Sequence, residues 1–120
     1  MNANELMERF LDFAADVISL ENRLKTSASS IHIFNQLQRS ATSAGANYSE
    51  ACSAESQADF VHKMQIVLKE MRESFFWLKL LQRTEKIANE MIKPLIDESN
   101  EFISILVKSI YTSKQKQRNK

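Results

Sequence analysis

The chain holds one proline, one glycine and one cysteine in 120 residues. Each scarcity excludes something. So few breakers leave room for long regular elements and argue against a turn-rich β architecture. A lone Cys52 forms no intrachain disulfide, which points to a reducing, cytoplasmic setting. At a helix end a thiol can become reactive, but no base accompanies this one, so it reads as inert. No apolar run approaches the ~20 residues that span a bilayer, so no membrane partner is expected. The opening MNANELMERF carries acids and no apolar stretch, unlike a secretory leader.

Groupings that carry chemistry are equally sparse. His32 and His62 show no HxxxH or HExxH spacing. A di-metal bundle needs Glu-x-x-His pairs on two helices, whereas Asp59-x-x-His62 occurs once. There is no glycine-rich phosphate loop. No catalytic residue, metal ligand or cofactor is assigned, and the chain reads as non-enzymatic. An enzyme would have to hide its site between subunits.

What is present favours helix. Leu, Ala, Glu, Lys, Gln and Met are plentiful, and all are good helix formers. The length suits one domain that buries roughly 65% of its unfolded surface. In the first segment, about 4–25, Leu6, Phe10, Phe13, Val17, Leu20 and Leu24 form one stripe. Met7, Leu11, Ala14 and Ile18 widen it, and Asn4 is the expected N-cap. TSASS connects it to a second helix, about 31–51, with Phe34, Leu37, Ala41, Ala44, Tyr48 and Ala51 inward. CSAES follows. Ser56 with Asp59 resembles a capping box and opens a third helix, about 57–83. Its central stripe is Phe60, Met64, Val67, Met71, Phe75 and Leu78, flanked by Ile66, Trp77 and Leu81. The fourth, about 94–114, begins with Pro94 at its first position and buries Leu95, Phe102, Leu106 and Ile110. An extra turn around Ile87 and Met91 is expected before it.

These spacings predict an all-α, antiparallel up-down-up-down four-helix bundle over residues 1–114. Residues 115–120 read as a basic, disordered tail. Phe76 and Leu80 lie well round the third helix from its stripe. With Trp77 they are candidates for an oligomer interface, since a monomer needs no large apolar residues there.

The second helix carries unusual polar and small content in QLQRSATSAGANYSEA, residues 36–51. Ser40 and Asn47 fall at the edge of its apolar stripe, Ser43 just outside and Arg39 further round. Gly45 costs ~1 kcal/mol of helix propensity relative to Ala, which close helix approach would offset. On the third helix Glu70 sits inside the apolar arc. An acid buried there needs a donor; Arg39 and Asn47 are the candidates, and Glu73 is the second acid.

The formal net charge of +1 is unevenly spread. Residues 1–107 hold eleven basic and fifteen acidic side chains, and residues 108–120 hold five basic and none acidic. Candidate nucleic-acid contacts are Lys63, Lys69, Arg72, Lys79 and Arg83 on the third helix, with Lys114, Lys116 and Arg118 near the end.

The run Gln36-Leu37-x-Arg39-Ser40-Ala41-x-Ser43-x-x-Ala46-Asn47-x-x-Glu50-Ala51 resembles a known signature. So do Ser56-x-x-Asp59-Phe60-x-x-Lys63 and Lys69-Glu70-x-x-Glu73-x-x-x-Trp77-Leu78. The resemblance is to the four-helix bundle proteins related to the 23S ribosomal RNA intervening-sequence protein. It implies a small bacterial antiparallel bundle assembled as a homopentamer. A related branch, the accessory variability proteins of diversity-generating retroelements, binds a reverse transcriptase and nucleic acid. The function these readings imply is an oligomeric scaffold with a protein or RNA partner.

Overall fold

Caps set the helix starts. In the computed structural model, which describes residues 1–119, α1 spans Ala3–Ser19 and continues as a 3-10 turn over Leu20–Arg23. Asn2, rather than Asn4, caps it, accepting from the Glu5 amide at 2.9 Å. The register that buries Leu6 and Phe10 starts the helix at Ala3. α2 spans Ala28–Ala51, three residues earlier than its apolar stripe implies. Ser27 and Ser30 form a reciprocal capping box that recruits Ala28, Ser29 and Ser30 of TSASS into the helix. α3 spans Gln57–Thr84. Ser56 accepts from the Asp59 amide at 3.0 Å, but the Asp59 carboxylate turns to the Glu55 amide instead of the Ser56 amide.

α4 spans Asn89–Arg118 and corrects two expectations. Pro94 lies inside it, as its sixth residue. The first turn is worth forming because it buries Ile92 completely. Pro94 removes the donor for the Glu90 carbonyl, and both residues are exposed, so solvent can replace it. The segment expected to be a disordered tail is helical through Arg118. Lys120, the last cation of that segment, lies outside the described residues.

The helices alternate in direction. His32 meets Trp77 and Ser40 meets Ser74, so α2 and α3 run antiparallel. Gln82 bonds Asn89 while Leu68 and Arg72 share a groove with Ile110 and Tyr111, so α3 and α4 do too. At one end Ala3 shares a groove with Tyr48, Phe60 and Ser109. At the other the Lys25 amide donates to the Lys86 carbonyl at 2.7 Å. α1 therefore runs with α3 and against α2 and α4.

Each helix contributes to one core. Phe102 of α4 stacks on Phe10 of α1 and takes Phe13 edge-on; Tyr48 of α2 stacks on the same Phe10. Met64, Val67, Met71, Leu78 and Leu81 carry α3 into it. Phe60 and Phe75, expected in the central stripe, are half-buried, while Val61 and Ser74 take inward places. Leu11 and Ile18 were expected to broaden the α1 stripe and are instead exposed, as is Val107 of α4.

Candidate functional site

Three surfaces gather the sequence candidates. The first is a polar seam between α2 and α3. Ser40 and Ser74, both fully buried, place their Oγ atoms 2.8 Å apart. Each also lies within hydrogen-bond reach of a carbonyl of its own helix, Ser40 of Leu37 at 3.2 Å and Ser74 of Glu70 at 3.0 Å. One turn away, Arg39 lies 3.2 Å from Glu70 and also pairs with Glu73. The Glu70 side chain is 11% exposed and that of Arg39 is 48% exposed. The cation thus bridges from solvent to a nearly buried acid. Glu73 further accepts from the Trp77 indole N–H at 3.3 Å.

Asn47 does not join this seam. Its amide donates to the carbonyl and hydroxyl of Ser43, one turn back on α2. Both residues stay within their own helix. Gly45 faces α1, where an added Cβ would meet Phe10 at 3.5 Å, an ordinary contact distance. Close approach does not require glycine there.

The second surface is the outer side of α3. Phe76 is 57% exposed and Leu80 is half-buried. With Phe75, Lys79 and Arg83 they line a groove of about 310 Å³. The Lys79 ammonium sits 5.2 Å from the centre of the Phe75 ring. Trp77 belongs to the other edge of this helix, between His32 and Phe76. Exposed Lys69 and Arg72 continue the basic rim.

The third surface joins α3 to α4. Arg72, Tyr111 and Lys114 line one groove of about 310 Å³, and Tyr111 is 64% exposed. Lys69, Arg72, Arg83, Lys114, Lys116 and Arg118 are exposed and enter no ion pair among the described residues. Lys63 differs: it pairs with Asp59 at 3.2 Å. The Glu55 amide, and then Lys63, hold the Asp59 carboxyl below the usual carboxylate range.

A fourth arrangement escaped the sequence reading. Arg9 of α1 chelates Glu98 of α4 through two nitrogens, reaches Glu101 at 3.3 Å, and lies over the Phe102 ring. These bonds raise its already high pKa, Glu98 most. A pairing across 89 positions leaves no local spacing signal.

Among the described residues no cluster of three or more His, Cys, Asp or Glu could hold a metal ion. No helix there is long and apolar enough to cross a membrane.

Comparison with known proteins adds two findings. The family described as 23S rRNA-intervening sequence protein matches residues 2–108. Among solved structures, the chain is similar to a protein of unknown function from the S23 ribosomal protein family of Bacteroides thetaiotaomicron VPI-5482. The identity is 36%, with 92% of this chain and 99% of that one covered, and the TM-score is 0.79. No curated protein matches the chain.

Proposed function

The chain belongs to the 23S rRNA-intervening sequence protein family, and from that premise we propose that it is a self-assembling, non-enzymatic scaffold. One observation carries the reading: two apolar strips of opposite charge on two different helices. On α3, Phe76 and Leu80 are rimmed by Lys69, Arg72, Lys79 and Arg83. On α1, exposed Leu11 and Ile18 are rimmed by exposed Glu8, Asp12 and Asp16. α1 and α3 lie diagonally across the bundle, each packed against α2 and α4.

Two different, complementary patches on opposite sides of one protomer suit a head-to-tail contact, and such contacts form a ring where the rotation between protomers closes. A pentamer, the assembly the family resemblance implies, requires that kind of contact. Burial of the strips supplies affinity, and the opposite rims fix orientation and suppress wrong pairings. Light scattering tests this directly. A mass that stays a multiple of the 13.8 kDa protomer on dilution supports assembly; a monomer at micromolar concentration refutes it.

A second reading concerns RNA. Arg72, Tyr111 and Lys114 along the α3–α4 groove combine two free cations with an exposed aromatic ring. Single strands are held by that combination, through phosphate neutralisation and base stacking. The reverse-transcriptase-binding role of the related branch would draw on the same cations. Binding of single-stranded RNA that weakens steeply with salt and is lost in Tyr111→Ala supports this reading. Salt-insensitive binding, or none, removes it.

A further inference from the structure

One end of the bundle holds a groove apart from the α1 and α3 strips and from the groove of Arg72, Tyr111 and Lys114. It has a volume of about 660 Å³ and is bounded by the start of α1, the turn from α2 into α3, and the last turns of α4. That volume lies in the range of small-molecule sites.

Two of its wall residues are buried yet leave a polar atom unused. Tyr48 is 4% exposed and Ser113 is 7% exposed. Among the described residues no oxygen or nitrogen hydrogen-bonds either hydroxyl. The Tyr48 hydroxyl has only the Cys52 thiol beside it. A serine late in a helix normally returns its hydroxyl to the carbonyl three or four residues back, as Ser99 and Ser104 do on α4. Ser113 makes no such bond. Neither oxygen is sealed from solvent, so both face the groove. A molecule seated in the groove can therefore reach both hydroxyls.

The lining is rich in donors. Lys116 supplies a cation outside any ion pair, and no carboxylate lines the groove. Burial, and then Cys52, push the Tyr48 phenol pKa up, so it stays a neutral donor. The last carbonyls of α2 are already paired: those of Tyr48, Glu50 and Ala51 accept from the Cys52, Ser53 and Ala54 amides. The start of α3 opens on the groove at Ser56 and Gln57, and Phe60 adds an aromatic face.

We propose that this groove is a binding site for a small organic anion, an aromatic phosphate or carboxylate. Lys116, Tyr48 and Ser113 hold its charged group, and Phe60 holds its ring. The site lies at the end of the bundle, so it stands whether or not the protein assembles through α1 and α3.

Cys52, exposed in the groove wall, is a built-in reporter. The full chain is treated with iodoacetamide and alkylation of Cys52 is followed by mass spectrometry. Phenyl phosphate at about 5 mM is expected to slow it roughly threefold or more, as for a site with a Kd of about 2 mM or below. Equal protection by benzoate assigns aromatic anions in general; its absence assigns phosphate monoesters. Lys116→Gln and Tyr48→Phe should each remove the protection, read in each variant as the ratio of its own rates with and without phenyl phosphate. No protection by phenyl phosphate overturns the proposal. So does equal protection by benzyl alcohol or by inorganic phosphate, or protection that survives Lys116→Gln.

Discussion

The hydroxyls of Ser40 and Ser74 meet at 2.8 Å in the fully buried contact between α2 and α3. Each hydroxyl has one proton and two acceptors in reach, a carbonyl of its own helix and the other serine's oxygen. Only one of the pair can donate across the seam while the other donates to its own carbonyl. Removing one serine leaves the other its own-helix carbonyl, so no buried group is stranded. Ser40→Ala is therefore expected to cost only about 1 kcal/mol, with a coupling of about 0.5–1 kcal/mol in a cycle with Ser74→Ala. Urea denaturation of the four proteins measures it; zero coupling contradicts the shared bond.

Arg39 gives a second prediction. It reaches Glu70, which is nearly buried, and Glu73, which is more exposed. Arg39→Met leaves Glu70 without its cation, whereas Glu73 keeps better access to water. The expected loss is about 1–2 kcal/mol, held down by the exposure of Arg39. Adding Glu70→Gln should restore more stability than adding Glu73→Gln. The reverse order would show that the buried acid is satisfied elsewhere.

Gly45 offers a gain. It sits mid-helix with ordinary backbone geometry, and a methyl group would meet Phe10 at 3.5 Å. Gly45→Ala is expected to stabilise by about 0.5–1 kcal/mol through helix propensity. A lower urea midpoint would contradict the ordinary contact distance to Phe10.

Tyr48 offers a test in base. Burial raises its pKa above the ordinary phenol value. The unfolded chain therefore loses that proton first, from about pH 10. The stabilisation from the neutral phenol is complete below that pH and declines as pH climbs towards the folded value. The urea midpoint of the wild type should fall more steeply between about pH 9 and 11 than that of Tyr48→Phe. Parallel slopes would place the phenol in water.

Particular residues show what could be read before the structure. The stripe Leu6, Phe10, Phe13, Val17, Leu20 and Leu24 is local, and all but the half-buried Leu24 are buried. Local signals misled where tertiary packing outbid them. Pro94 looked like a helix start, but burial of Ile92 carries α4 back to Asn89. Asn47 looked like a partner for Glu70, but Ser43 satisfies it one turn away. Arg9 with Glu98, and Tyr48 with Ser113 across the end groove, join α1 or α2 to α4. Such pairs depend on helix register, which no spacing within one helix encodes.

The head-to-tail contact is tested most directly by mixing two variants. Phe76→Asp spoils the α3 strip and keeps the α1 strip; Leu11→Asp does the opposite. Sedimentation velocity should find each alone as a folded monomer of 13.8 kDa. Mixed in equal amounts, they should form a dimer of twice that mass, because one intact pair of strips remains. A mixture that stays monomeric, or a Leu11→Asp protein that still self-associates alone, would contradict the pairing of α1 with α3.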